Sequence, residues 1–396
     1  MNKIKLSVFD HGPQAIDRLR SLLAQFQDEQ SISVHLEVLP WQGGWTKTIR
    51  TALYRTGPDI SEIGSTWLGD LARMNAFSVF SPGEISDLGG KDQFLPASYQ
   101  SGLTTFGFFS SLGAIPWSAD TRVVYYRRDL FAKAGLGEPT SFSGPEEFEQ
   151  ALARLQDSGV EVPLTMATGR SRVGVHLLAS WVWGAGGAFI SQDGQEILFD
   201  RPEARRGMKA YFRLGRYLSE EARELLDDQS DALFLSGRAA TVLSGHWLAQ
   251  ERLLPPELRR NVGVALLPGV SFVGGLHLVI WKHSRRKSWA LKLIQFLLSD
   301  HASGELFPSF GLPTRIEMLD RPPFSTEPHY QVMGQALKTG RSFPGGQAWG
   351  LVESQLTDAL PAIWHQVLPT PRPDLDGILT ARLEPLAQQL ALELNP

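Results

Sequence analysis

The sequence of 396 residues contains no cysteine. That excludes disulfides, thiolate zinc sites and cysteine nucleophiles, and it is compatible with either side of a bacterial membrane. No uninterrupted apolar run reaches the roughly 18 residues that a membrane span needs, so no such span is expected. The first ten residues, Met1 to Asp10, alternate apolar and polar like a strand and lack the apolar stretch and small-residue cleavage site of a secretory signal. The chain is then either a processed form carrying a new Met or one made without export. Lys and Arg number 38 against 42 Asp and Glu, a formal net charge of −4, and the one tight basic cluster is Arg285, Arg286 and Lys287. This near balance argues against nucleic acid or an anionic membrane as the main partner.

The specific catalytic signatures are missing too. There is no G-x-x-x-x-G-K-[ST] loop, no G-x-G-x-x-G, no G-x-S-x-G elbow and no H-E-x-x-H. The nine histidines are scattered singly, with no pair at metal-ligand spacing, so neither a metal nor a cofactor is expected. A carboxylate pair for glycoside hydrolysis stays open, because its spacing is set in three dimensions.

What is present is a long α/β pattern. Residues 4–9 read as a strand, and Pro13 opens a helix with Ile16, Leu19, Leu22, Leu23 and Phe26 on one face. A strand at 32–39, a helix at 45–54, a strand at 59–64 and a helix from about Thr66 continue the alternation, which implies parallel strands with crossovers. Two extended runs, 106–116 and 122–126, separated by Trp117-Ser-Ala-Asp120, read as the passage to a second lobe. There, Ser143-Gly-Pro-Glu146 has capping-box spacing before a helix. A strand at 162–167, a Trp-rich helix at 175–184, a hairpin near Asp193-Gly194 and a helix from Pro202 follow. Strands at 239–244, 261–267 and 272–281 come next, then a helix through Trp289, and the last 70 or so residues are mostly helical. The expected division is 1–116 with 270–311 for one lobe and 117–269 with 312–396 for the other.

Eleven tryptophans are roughly twice the usual share, and each indole needs a partner for its N–H. Trp45, Trp67, Trp117, Trp183 and Trp247 each adjoin a Gly-, Ser- or Thr-rich turn at a strand or helix end, where open α/β sheets bind ligands. Flat aromatic faces suit the C–H face of a pyranose, and charged or hydroxyl side chains suit its hydroxyls. Trp181, Trp281, Trp289 and Trp364 fall within regular periodicity and are assigned to packing. Packing is also the competing account of any single Trp, and capping or turn formation is that of Asp10, His11, Asp120 and Arg341.

Ile60-Ser-Glu-Ile-Gly-Ser-Thr-Trp67 with Leu71-Ala-Arg-Met-Asn-Ala-Phe77, and then Ile115-Pro-Trp-Ser-Ala-Asp-Thr-Arg-Val-Val-Tyr-Tyr-Arg-Arg-Asp-Leu-Phe131, resemble the extracellular solute-binding protein family 1 of ABC sugar importers. Leu235-Ser-Gly-Arg-Ala-Ala240, Ser244-Gly-His-Trp247, Gly274-Gly275 and Phe310-Gly-Leu-Pro-Thr-Arg315 agree in order. The resemblance implies a periplasmic-binding-protein-like type II fold, with two α/β lobes, crossover strands and a helical C-terminal region, closing on a sugar. It implies a non-enzymatic, monomeric receptor that meets the membrane only through permease subunits and works in the periplasm or at the cell surface. Carried residue by residue, it points to Ser65, Thr66, Trp67, Trp117, Asp120, Trp247, Gly275 and Arg341, with Asp10, His11, Trp45 and Trp183 by position. Leu276 stands where relatives often have an aromatic residue, and Ser342 stands where Pro often follows the Arg. The rival readings are a glycoside-active enzyme with paired carboxylates and a sugar sensor for a signalling partner, which a chain made without export would place in the cytoplasm.

Overall fold

The computed structural model describes residues 3–106, 109–137, 142–249, 254–344 and 347–394. The strands run in chain order β1 (Lys3–Phe9), β2 (Ser33–Leu39), β3 (Ile60–Gly64), β4 (Leu103–Phe106), β5 (Phe109–Leu112), β6 (Ile115–Arg127), β7 (Val162–Thr165), β8 (Ala239–Gly245), β9 (Val262–Leu266), β10 (Val273–Ile280) and β11 (Leu312–Pro313). The chain divides into two compact units. Residues 1–120, 273–326 and 342–350 form unit 1; residues 121–272, 327–341 and 351–396 form unit 2.

Unit 1 follows from the alternation in its first third. Ile4, Leu6 and Val8 of β1 are buried, as are Ile16, Leu19, Leu22, Leu23 and Phe26 on the helix Pro13–Gln30. Such a helix covers a sheet face only if the next strand returns parallel. β2 and β3 accordingly flank β1, both parallel, with Phe9 opposite Leu39 and Leu6 opposite Ile60. β10 then adds antiparallel to β3, with Leu276 opposite Gly64, and the first half of β6 lies beside β10. The parallel register brings the carboxyl ends of β1, β2 and β3 to one edge, so Asp10, the Pro40–Gly43 turn and Ser65 emerge together.

Unit 2 is built on the second half of β6. β8 pairs with it on one side, Arg122 opposite Gly245, and β9 on the other, Val123 opposite Leu266, both antiparallel. β7 joins β8 in parallel. Trp181, Tyr211, Phe212 and Trp364 form an aromatic core at ring distances of 4.7 to 5.4 Å. Trp181, Trp281 and Trp364 are buried, so the periodicity that assigned them to packing describes their surroundings.

Three local readings change. Trp117 to Asp120 does not separate two runs but lies inside one thirteen-residue strand, β6, because Ser118 and Ala119 pair with Pro313 and Leu312 of β11. The residues on both sides of that pairing lie in unit 1. The helix Pro145–Asp157 has Gly144 at its N-cap, one position after Ser143, where the spacing had placed the cap. Of the run expected at 106–116, residues 107 and 108 lie outside the described residues, and 109–112 pair back on 103–106 as a hairpin.

Candidate functional site

In unit 1 the strand-end edge carries a chain of aromatic rings. Trp45 meets Trp67 at 5.2 Å, Trp67 meets Phe9 edge-on at 5.6 Å, and Phe9 stacks on Trp41 at 4.6 Å. His11 stands edge-on to Trp41 and lies 3.8 Å from the Phe310 ring, which also packs on Trp117. Trp45 and Trp67 are half-buried against the core formed by Ile63, Leu68, Leu71 and Trp281. Ser65, Thr66 and Trp67 form a 3-10 turn directly after β3.

A buried acid organises this edge. Glu62 on β3 is essentially inaccessible, and it accepts the Phe9 backbone N–H at 2.7 Å and a bond from His11 Nε2 at 3.0 Å. Such a carboxylate would be costly to bury without these donors. It therefore fixes both the end of β1 and the His11 ring. Asp10, exposed, turns the chain by accepting the Gly12 N–H at 2.8 Å.

Unit 2 carries a second set, centred on Trp247. Its ring lies over Gly245, where a Cβ would come within 2.1 Å of it, so the glycine is what admits the indole. Its N–H donates to Asp231 Oδ2 at 2.7 Å, and the Arg122 guanidinium sits 4.9 Å from the ring centroid. Arg122 is buried, with its Nη2 3.1 Å from His176 Nδ1. A guanidinium only donates, so His176 accepts at Nδ1 and carries its proton on Nε2, which donates to Glu353 at 3.2 Å. Arg172 meets the other Glu353 oxygen at 3.4 Å. The two arginines are thus balanced by Glu353 and Asp231. Burial pushes the Asp231 carboxyl up to about 6, with Asp227 adding repulsion, while Ser244, Trp247 and Arg122 pull the other way.

Phe272 joins this set to another. The His176 ring stacks on it at 4.2 Å, and its backbone bridges to Arg341. The Arg341 N–H donates to the Ser271 carbonyl, and its guanidinium lies 5.2 Å from the Trp183 ring. Arg341 and Trp183, 158 positions apart, are therefore neighbours.

Two candidates have structural duties. Trp117 is 0 % exposed, so the face expected to meet a sugar is covered in this structure. Gly275 has φ +137°, and a Cβ there would stand 2.0 Å from the Ser118 carbonyl, so a glycine is needed for β10 to approach β6. Asp120 lies half-buried on β6. Sequence reasoning missed Trp41, Glu62, Arg122, His176, Asp231 and Glu353. Glu62 and Arg122 did leave a signal, a charge inside an otherwise buried strand.

Among the described residues no cluster of three or more His, Asp or Glu could hold a metal, and no helix is long and apolar enough to cross a membrane. A cavity of about 600 Å³ on unit 2, lined by Arg206, Lys209, Arg213 and Arg216, contains none of the candidate residues. Its cations are partly neutralised by Glu149 and Asp376.

Residues 12–303 match the family model of the bacterial extracellular solute-binding proteins. The chain belongs to that family. A relative within reach of sequence comparison is the diacetylchitobiose-binding protein DasA of Streptomyces coelicolor, 22% identical over 356 residues, which are 87% of this chain and 80% of DasA. Among solved structures, the sugar-binding protein MalE of Xanthomonas citri superposes with a TM-score of 0.82 at 21% identity, covering 99% of this chain and 97% of that one. An ABC transporter solute-binding protein of Thermotoga lettingae, bound with α-D-tagatose, gives 0.82 at 19% identity over the whole of both chains. At these identities the structural likeness establishes the fold, which is that of the type II periplasmic binding proteins. The family to which the sequence motifs pointed is the one found, and its members are solute-binding proteins of the extracellular side.

Proposed function

We propose that this solute-binding protein is the carbohydrate receptor of an ABC importer. One observation carries the reading: Trp247 is a half-buried indole at a strand end, held by a carboxylate on its N–H and a guanidinium on its ring. An indole fixed in this way offers a rigid apolar face to a sugar ring without leaving its own N–H unsatisfied. Unit 1 repeats the combination of aromatic and acidic groups with Trp67, Trp45, Asp10 and His11, and Arg341 beside Trp183 supplies a cation able to fix a hydroxyl. The ligands of one relative and one structural neighbour, diacetylchitobiose and tagatose, support the substrate class.

In this reading the protein binds and releases its ligand without chemical change, as a monomer in the periplasm or at the cell surface, and hands the sugar to permease subunits. Ligand occupancy works by stabilising one conformation of the protein, which the permease recognises. Ser65, Thr66 and Asp120 serve as polar contacts to the sugar.

The test is calorimetry across an array of mono- and oligosaccharides, with product analysis of the same mixtures. Stoichiometric binding with the sugar recovered intact is expected. A folded protein with no response to any saccharide would remove the proposal, and hydrolysed products would replace it with the glycosidase reading.

A further inference from the structure

Trp41 is the one tryptophan, among the described residues, that is exposed, at 51 %. It is not a loose side chain. Its N–H donates to the Asp10 carbonyl at 2.8 Å, and one ring face stacks on Phe9 at 4.6 Å with an interplanar angle of 18°. His11 abuts it edge-on at 5.5 Å, and His11 is itself held by the buried Glu62. The indole is therefore oriented by three neighbours, and about half of its surface still faces water. The indole thus has its N–H satisfied and its ring fixed while its outer surface stays open to water, which is the arrangement a stacking platform needs.

Its position matters as much as its exposure. Trp41 follows β2, Asp10 follows β1 and Trp67 follows β3, all at the carboxyl ends of parallel strands. Phe9 touches both Trp41, by stacking, and Trp67, edge-on, so the two indoles share one neighbouring ring. The Asp10 carboxylate, exposed next to Trp41, supplies an acceptor for sugar hydroxyls.

We infer that Trp41 and Asp10 form a second sugar position beside the one served by Trp67, and that the ligand is therefore an oligosaccharide of at least two rings. This rests on the carbohydrate reading above. A monosaccharide fills the Trp67 position alone and gains nothing from Trp41.

The experiment starts from the saccharide array, including the maltose and chitobiose series, and then titrates the monomer, dimer and trimer of whichever sugar binds. Wild type is compared with Trp41→Ala, Trp41→Phe and Asp10→Asn, each checked by its unliganded melting curve. Expected is tighter wild-type binding of dimer and trimer than of monomer. Trp41→Ala should lower affinity for the dimer and trimer at least tenfold while leaving the monomer within twofold, and Trp41→Phe should retain most of it. Should Trp41→Ala fold poorly, Asp10→Asn, which keeps the turn acceptor, reads the same size-dependent loss. Equal binding of dimer by wild type, Trp41→Ala and Asp10→Asn, or an equal loss for monomer and dimer, overturns the second position and leaves the carbohydrate reading standing. An array on which nothing binds overturns both.

Discussion

The indole N–H of Trp247 donates to the Asp231 carboxylate at 2.7 Å, across 16 positions of sequence, and this bond ties the turn after β8 to the helix Asp227–Leu235. The acid that makes it is buried. Its ionisation at neutral pH is consequently a cost of folding as well as a source of order.

That cost predicts a pH dependence. The folded Asp231 titrates at about 6, chiefly because it is buried, whereas in the unfolded chain it has the ordinary carboxylate value near 4. Between these values the unfolded state releases the proton first, so the Asp231 contribution is full below about pH 4 and is lost as pH rises through 6. At about 1.4 kcal/mol per pH unit the loss is at most about 3 kcal/mol. Asp231→Asn removes the titration and keeps an oxygen for Trp247. Urea unfolding at intervals from pH 4 to 7 should show the variant gaining on wild type up to about pH 6 and then running parallel to it. Parallel curves throughout would contradict the assignment.

The guanidinium beside Trp247 predicts a measurable coupling. Arg122 lies 4.9 Å from the Trp247 centroid and 5.5 Å from that of Phe272, and a desolvated cation–π contact contributes on the order of 1–2 kcal/mol. A double-mutant cycle with Arg122→Met and Trp247→Phe, read by urea unfolding, should give a coupling of about 1 kcal/mol. Arg122→Met alone should cost more, roughly 3 kcal/mol, because His176 Nδ1 and Asp231 lose a buried cationic partner. A coupling indistinguishable from zero would mean that the ring is placed by Asp231 alone.

Trp117 and Trp247 separate packing from binding. Trp117 is fully buried against Phe310, so Trp117→Ala should destabilise the protein by about 3–5 kcal/mol. Its effect on saccharide affinity should disappear once the folded fraction is taken into account. Trp247→Ala should instead weaken saccharide binding at least tenfold in a protein that remains folded. Paired denaturation and calorimetry on the two variants check this, and the reverse pattern would exchange their roles.

These contrasts show what could be read from the chain itself. The order of strands and helices in the first third was legible because each element is built from its own local periodicity, as in Ile4, Leu6 and Val8 or Ile16, Leu19 and Leu23. The continuity of β6 was not, because Ser118 and Ala119 are held in a strand by Leu312 and Pro313, nearly 200 positions away. The same limit applied at the candidate site. Trp67 and Trp247 announced themselves by the Gly and Ser turns beside them. Their partners did not, since His176 finds Glu353 across 177 positions and Arg341 finds Trp183 only through the folded backbone of Phe272. Trp41 sits in an equally Gly-rich turn, and only the structure distinguishes its exposed ring from the buried ones.

Glu62 gives the last prediction, because it ties two strands and a candidate residue together through one buried carboxylate. It accepts the Phe9 N–H from β1 at 2.7 Å and His11 Nε2 at 3.0 and 3.1 Å, with no exposure of its side chain. Glu62→Leu leaves both donors without an acceptor in a dry environment, where each unsatisfied group costs about 1–3 kcal/mol. Glu62→Gln keeps a carbonyl for one donor and turns an amide N–H₂ toward the other. The order of stability in urea should therefore be wild type, then Gln, then Leu, with Leu lower than wild type by several kcal/mol. Because the Phe9 and His11 rings orient Trp41, both variants should also alter its fluorescence in the folded state. A Glu62→Leu protein as stable as wild type would show that the edge of β1 is held by packing of Phe9 and not by the acid beneath it.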